Sequence, residues 1–447
     1  MLSINAYTFI LILVVLIFGI VTGQKASVSK NSFSSILIGS LILGQFMIDG
    51  YTWYDEFYLA GALVPIYARR KKLGVKFSFR SNFALNLFFL FCIFETFRGI
   101  YFFKDLEGDY FLKIRWIVFF ILLILITSIL RSRDILNTIL STLQLTVILF
   151  FLLIYFITNA FAALKYGSAG YAQYAQSTDQ KYLGAIWANT AYSTPTLFVF
   201  LAIGVIELLQ SKSRSRTVLS VLVIFLTTSS YGLTLSRSGM ILSLVIVITL
   251  LLVKSQLKTF YHLCIVLIFV IAGFFIGTQI SSINSGDTKV LENLYCESVN
   301  VLISCENVGP REIGIGKDRE IQFSRSFEYF SNSGITTKLL GTGNRTSGYL
   351  LADFFGDPKG SQYAMGFAPI FLIEFGLIGM CFMFFILKRS LKVFWHSRDI
   401  RDLFTILILG GVLATTLVVN IYDFIPFYLL LSLDKDLGLV NSINTKK

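Results

Sequence analysis

Long apolar runs separated by short polar segments dominate the chain. A bilayer span requires roughly 20 apolar residues. Runs of that kind occur near 6–23, 33–48, 51–68, 82–103, 112–130, 135–158, 191–209, 217–234, 238–253, 260–280, 367–387, 403–421 and 424–433. The pattern predicts an all-α polytopic membrane protein of 12–13 transmembrane helices, the lower number because the second, third and last runs are short. The first run lacks a basic leader and a small-residue cleavage site, so it does not read as a cleaved signal peptide. The pattern is broken once, by the hydrophilic stretch 281–366, which is expected to fold partly on its own, with helical pieces near 288–304 and 317–332. Three parts follow: N-terminal transmembrane helices over 1–280, a large loop over 281–366, and C-terminal transmembrane helices with a tail over 367–447.

The charges between runs alternate. One set of connections carries 20 basic residues, among them Arg69, Arg70, Lys71 and Lys72, against three acidic ones, Asp134, Asp399 and Asp402. The short segments of the other set carry Lys104, Lys165 and Lys181 beside Asp49, Asp55, Glu56, Asp105, Glu107, Asp109, Asp179 and Asp423. Basic residues collect on the cytoplasmic side of membrane proteins. The first set is therefore expected inside, and the large loop outside. That loop is balanced, with eight basic and ten acidic residues.

Composition agrees: the chain of 447 residues is 55% apolar and 14% charged, with a mean hydropathy of +0.73. A soluble protein averages about 25% charged residues, so a soluble enzyme, a disordered chain and a disulfide-rich secreted domain are excluded. The net charge of +12 would otherwise suggest nucleic acid. Its confinement to one set of connections accounts for it by topology, and no nucleic-acid partner is expected. Cys296 and Cys305 are the two cysteines of the loop and are expected to pair in an oxidising compartment; the alternative is two free thiols. Their spacing does not fit a metal site, and none is expected.

The two histidines, His262 and His396, fall at cytoplasmic span ends. Histidine-activated nucleophiles on the outer face are thereby excluded, and chemistry there must use carboxylates, arginines, hydroxyls and backbone donors. Ionisable groups at membrane depth are costly and suggest function. Arg237, in Ser236-Arg237-Ser238-Gly239, sits between two runs at their outer ends, where its fork suits a diphosphate; it serves equally as an interfacial anchor. Glu95 and Arg98, three apart on one helix face, form either a ligand site or a self-neutralising pair. Glu374, seven residues into an apolar run, is either a general base or the buried partner of an arginine. Arg345 follows Gly341-Thr342-Gly343-Asn344, whose glycines allow close backbone approach to an anion; Asp353 lies a few residues on.

Taken together, the chain resembles the O-antigen polymerase and O-antigen ligase superfamily of bacterial inner-membrane glycosyltransferases. Four features carry the resemblance: Leu235-Ser236-Arg237-Ser238-Gly239 opening a span, one large outer loop toward the C-terminus, the Gly341-Thr342-Gly343 turn late in it, and Phe371-Leu372-Ile373-Glu374-Phe375-Gly376-Leu377-Ile378-Gly379. The resemblance implies a multi-pass inner-membrane protein acting at the periplasmic face without a cofactor. A glycan on undecaprenyl diphosphate would be its donor. Arg237, Arg98 and Arg345 would bind the diphosphate, and Glu374 or Asp353 would take the acceptor proton. Ligases of the superfamily carry a His-Asn pair about nine residues before the glutamate, where this chain reads Ala364-Met365-Gly366-Phe367. The implied activity is therefore polymerisation onto a lipid-linked repeat unit, with a chain-length regulator protein as a further partner. Ligation, or a lipid-linked oligosaccharide flippase with two similar halves and a midplane site, is the alternative.

Overall fold

The computed structural model describes residues 6–26, 32–44, 54–69, 83–102, 117–125, 142–176, 190–210, 213–234, 239, 243–244, 257–282, 324–343, 346–356 and 367–396. Helices there are α1 (Ala6–Ala26), α2 (Ser32–Leu43), α3 (Tyr54–Arg69), α4 (Phe83–Phe102), α5 (117–125), α6 (Thr142–Gln176), α7 (Thr190–Gln210) and α8 (Arg214–Leu233). They continue with α9 (Leu257–Ser282), α10 (324–332), α11 (Ile335–Leu340), α12 (Ser347–Phe355) and α13 (Phe367–His396). The all-α architecture expected from the apolar runs is present, with no strand among the described residues. Helices α1 to α9 and α13 coincide with ten of the expected runs, and α10 with the later helical piece expected in the loop. The runs near 403–421 and 424–433, the piece near 288–304, and the run near 238–253 apart from residues 239, 243 and 244 lie outside the described residues.

Two stretches are by themselves long and apolar enough to cross a bilayer, Thr142–Phe161 and Arg214–Leu233. Shorter apolar stretches are Phe9–Gln24, Thr194–Leu209, Cys264–Ile280 and Phe371–Phe385.

The helices form two compact units. The first holds α1, α2, α3 as far as Ala62, and α6 to α9; the second holds α3 from Leu63, α4, α5 and α10 to α13.

In the first unit α8 is packed by α6, α7 and α9. Its contact with α9 is made by small residues. Gly273 and Gly277, four apart on α9, face Thr228, Ser229 and Gly232 of α8. A Cβ on Gly277 would overlap the Ser229 carbonyl oxygen, and one on Gly273 would overlap the Thr228 hydroxyl. Small residues at four-residue spacing let two helix backbones approach closely where apolar burial alone gives no preference between partners. Beside this seam Thr227 Oγ1 donates to Val223 O at 2.7 Å and Ser230 Oγ to Leu226 O at 2.8 Å within α8, and Thr228 Oγ1, 2.9 Å from Ile224 O, also lies 3.4 Å from Phe269 O of α9. Tyr231 Oη reaches across to Thr194 O of α7 at 3.0 Å. Gly19 and Gly61 similarly bring α1 against α3, and Gln144 Nε2 of α6 donates to Ser35 Oγ of α2 at 2.8 Å.

In the second unit aromatic rings join α4 to α13. Phe88 lies 6.0 Å from Phe371, and Phe91 lies 5.6 Å from Phe382 and 6.4 Å from Phe375, centroid to centroid. Phe89 reaches Phe120 of α5 at 5.9 Å. Near the surface, the Arg325 guanidinium of α10 covers the Phe355 ring of α12 at 4.4 Å.

The α8–α9 seam leaves no room for a larger side chain. Gly277→Leu is expected to destabilise the purified protein by about 1–3 kcal/mol, the usual cost of overpacking. Ile271→Leu, at an exposed position of α9, is expected to leave it unchanged. Thermal unfolding in detergent, followed by size-exclusion chromatography, measures both.

Candidate functional site

The second unit brings together three motifs that lie far apart in the chain. The first is Glu95–Arg98, near the C-terminal end of α4. The second is the turn Gly341-Thr342-Gly343 that follows α11. The third is Glu374-Phe375-Gly376, within α13.

Their meeting begins with a break in α13. Gly376 has φ 61° and ψ −167°, which interrupts the helix. That backbone region is essentially restricted to glycine. An interrupted helix leaves carbonyls without their usual donors, and buried backbone groups need partners. The partners come from the turn. Thr342 N donates to Ile373 O at 2.9 Å and Gly343 N to Glu374 O at 2.9 Å. Thr342 Oγ1 adds a second bond to Ile373 O at 3.1 Å. Gly341 and Gly343, with φ 82° and 98°, allow the turn this close approach. A Cβ on Gly341 would collide with the Glu374 carbonyl, and one on Gly343 would lie 2.5 Å from the Gly99 Cα of α4 and 2.8 Å from the Glu95 carbonyl oxygen. The glycines thus serve intramolecular packing.

Arg98 fastens the turn from the other side. Its Nε donates to Glu95 Oε2 at 2.7 Å, and its Nη2 donates to the Gly341 carbonyl. The pair is largely sequestered, with side-chain exposures of 14% for Arg98 and 0% for Glu95. Glu95 Oε1 has no hydrogen-bond partner among the described residues.

The chain then turns into α12. Thr346 Oγ1 donates to Gly343 O at 2.7 Å and lies 2.5 Å from Thr342 Oγ1. Ser347, the first residue of α12, donates through both its hydroxyl (2.6 Å) and its amide (3.3 Å) to Glu374 Oε1. Glu374, 2% exposed, therefore sits at the N-terminus of α12, where a carboxylate is favoured by the helix dipole. These bonds to Ser347 are a further role for Glu374, beside the two expected from sequence, general base or buried partner of an arginine.

Arg98, Glu374 and the glycine turn are thus brought together. Asp353 is not among them. It lies six residues beyond Ser347 on α12, with its side chain exposed. Arg237, Arg345, Cys296 and Cys305 lie outside the described residues. Sequence reasoning did not single out Thr342, Thr346 and Ser347, which make most of the polar contacts. Their available signal was six hydroxyl or glycine residues crowded around Arg345, over 341–348. Nor did it give a role to Gly376, whose signal was its place two residues after Glu374. Among the described residues no group of three or more His, Cys, Asp or Glu residues can hold a metal ion.

Comparison of the chain with protein-family models, with characterised proteins and with solved structures finds no match.

Removing one member of a buried ion pair strands the other, at a cost of about 3–5 kcal/mol, whereas replacing both by apolar groups is often neutral. Arg98→Met is expected to lower the unfolding temperature sharply. Glu95→Leu combined with Arg98→Met is expected to recover most of the loss, apart from the bond to Gly341 O. Thermal unfolding of the wild type, single variant and double variant tests this, and additive losses would contradict it.

Proposed function

We propose that this chain is a multi-pass membrane glycosyltransferase that polymerises an O-antigen or related surface polysaccharide, passing a glycan from undecaprenyl diphosphate to a lipid-linked repeat unit. The reading as a bilayer protein is supported by what the helices expose. Along α4 the residues Phe83, Leu87, Leu90, Phe94, Phe97 and Tyr101 are all exposed, a continuous apolar stripe at helical spacing. Helix α6 likewise presents Leu143, Val147, Phe150, Ile154, Ile157 and Phe161. Water penalises such faces, whereas hydrocarbon does not. Polar residues meanwhile lie inside, including Asn86, Glu95, Asn159, Thr227 and Thr228.

The observation that carries the enzymatic reading is the convergence of Arg98, the glycine turn and Glu374 toward one end of α4 and α13. The alternating charge of the connections supports a periplasmic position for that end. A lipid-diphosphate donor presents its diphosphate and reacting C1 at the membrane surface just beyond that end. Arginines neutralise the leaving diphosphate, and stabilising such charge is usually a large catalytic contribution. Arg98 is already tied to Glu95 and Gly341 O, so its part is to hold the turn and present its remaining donors. Arg237 and Arg345 are then the principal diphosphate ligands. Glu374 is the better candidate for the base because it is buried within the cluster, whereas Asp353 is solvated on α12.

One feature favours the flippase as a second reading, since transporters use discontinuous helices and α13 is broken at Gly376. In such transporters the freed carbonyls coordinate an ion. Here the Ile373 and Glu374 carbonyls are already occupied by Thr342 and Gly343, which supports the enzyme.

In a strain making a repeat-unit glycan, loss of this chain is expected to leave single repeats capped onto the outer core. Loss of a ligase would instead strand long chains on the carrier lipid, and loss of a flippase would leave no repeats outside. Arg237→Ala is expected to reproduce the deletion, and Arg237→Lys to restore it in part, because an ammonium cannot fork. Glu374→Gln preserves the acceptor for Ser347 while removing the base, and is expected to slow polymerisation by about 10²-fold or more at normal protein abundance. Glycan length on gels reads out all three.

A further inference from the structure

We infer that residues 335–343, the short helix α11 with the glycine turn that follows it, form a re-entrant segment seated in the outer leaflet of the bilayer, with Ile335 and Leu339 facing lipid acyl chains. The inference rests on the reading of the chain as a membrane protein and goes beyond it, because the segment belongs to the stretch 281–366 expected in water.

Two independent measures of depth place it there. On α13, the turn bonds to the carbonyls of Ile373 and Glu374, six and seven residues beyond Phe367, the first residue of that helix. At 1.5 Å per residue this is about 10 Å along the axis. A Cβ on Gly376 would lie 2.5 Å from the Leu339 carbonyl oxygen, so the end of α11 is at a similar or greater depth. On α4, Gly343 meets Glu95 and Gly99, and the helix runs on to Phe102. This again gives about 5–10 Å from the outer end. The apolar core of a bilayer leaflet is about 15 Å thick, so both helices put the turn well within it.

The segment is chemically fitted to that depth. Ile335 and Leu339, one helical turn apart, are 77% and 44% exposed. Facing water, a β-branched and a branched apolar residue at these exposures would gain nothing. The opposite side of α11 packs on α13. Non-helical backbone inside a membrane is tolerated only where its polar groups are satisfied by protein. The Thr342 and Gly343 amides, the Gly341 carbonyl and the Gly343 carbonyl are all bonded. Lys338, half-buried in the last turn, has a stem long enough to carry its ammonium toward lipid phosphates.

The test uses the full-length protein in phosphatidylcholine vesicles. Single cysteines are introduced as Ile335→Cys, Leu339→Cys, Phe94→Cys and Ser324→Cys and labelled with bimane, and the signal of the labelled wild type is subtracted. Quenching by doxyl-labelled lipid is compared with quenching by aqueous iodide. Ser324, exposed on α10, reports water, and Phe94, on the apolar stripe of α4, reports the span. The expected result is strong doxyl quenching with iodide protection of at least several-fold for Ile335→Cys and Leu339→Cys, as for Phe94→Cys. Iodide quenching of both α11 positions at the level of Ser324→Cys, with Phe94→Cys still in lipid, would overturn the re-entrant segment alone. If Phe94→Cys is also quenched by iodide and not by doxyl lipid, the membrane reading fails first and the segment with it. Thr336→Cys, also exposed on α11, supplies a second position if either apolar substitution prevents folding.

Discussion

The arrangement of the second unit depends on how the interruption of α13 is satisfied. A helix that breaks within an apolar stretch frees carbonyls that need donors, and each left bare costs several kcal/mol in hydrocarbon. Two consecutive amides of one turn supply those donors, at 2.9 Å each. The turn that carries them takes positive φ at Gly341 and Gly343, and the break takes it at Gly376, a backbone region that favours glycine. The three glycines are therefore one device. The site polar groups, Arg98, Ser347 and Glu374, are arranged around it because each bonds to the turn or to the residues flanking the break.

Arg98 and Glu374 occupy complementary positions in this device. Arg98 draws on α4 and ties down the Gly341 carbonyl, the acceptor on the turn's own chain. Glu374 draws on α13 and receives the first amide and hydroxyl of α12. The Arg98 cation is met by Glu95, and the Glu374 carboxylate accepts from the Ser347 hydroxyl and amide at the N-terminus of α12. A guanidinium has five donors, and the described residues engage its Nε and Nη2. Its remaining hydrogens keep it able to meet an anion without releasing the turn. A lysine in its place would have to choose.

Much of this was legible in the chain. Apolar runs located the helices because runs of that length exceed what a strand needs, so length alone favours a helix. Glu95 and Arg98 were legible as a pair from their three-residue spacing, which bonds at 2.7 Å. The glycines of Gly341-Thr342-Gly343 were legible as permitting close approach, but what approaches is α13 and α4 rather than a ligand alone. That could not be read locally, since residues 341 and 374 meet only through the tertiary fold. The break at Gly376 was equally hidden: glycine is common within membrane helices, and its φ is decided by the turn that docks on it. Asp353 shows the opposite limit. Its place after the glycine turn in sequence suggested a part in the site, yet α12 carries it away on an exposed face, because helical pitch separates residues six apart.

The two units also differ in what stabilises them, which bears on where change can occur. In the first, α8 and α9 meet backbone to backbone through Gly232, Gly273 and Gly277. Such contact leaves room for only small side chains such as those of Thr228 and Ser229. In the second, α4 and α13 meet through phenylalanine rings with centroids about 5–6 Å apart, a range in which aromatic pairs tolerate several tilts at similar energy. The hydrogen bonds of the glycine turn, directional and 2.9 Å long, add a fixed registration beside those ring contacts. The polar cluster consequently sets the register of α13 against α4, and any movement that opens the site must first release those two amides from Ile373 and Glu374.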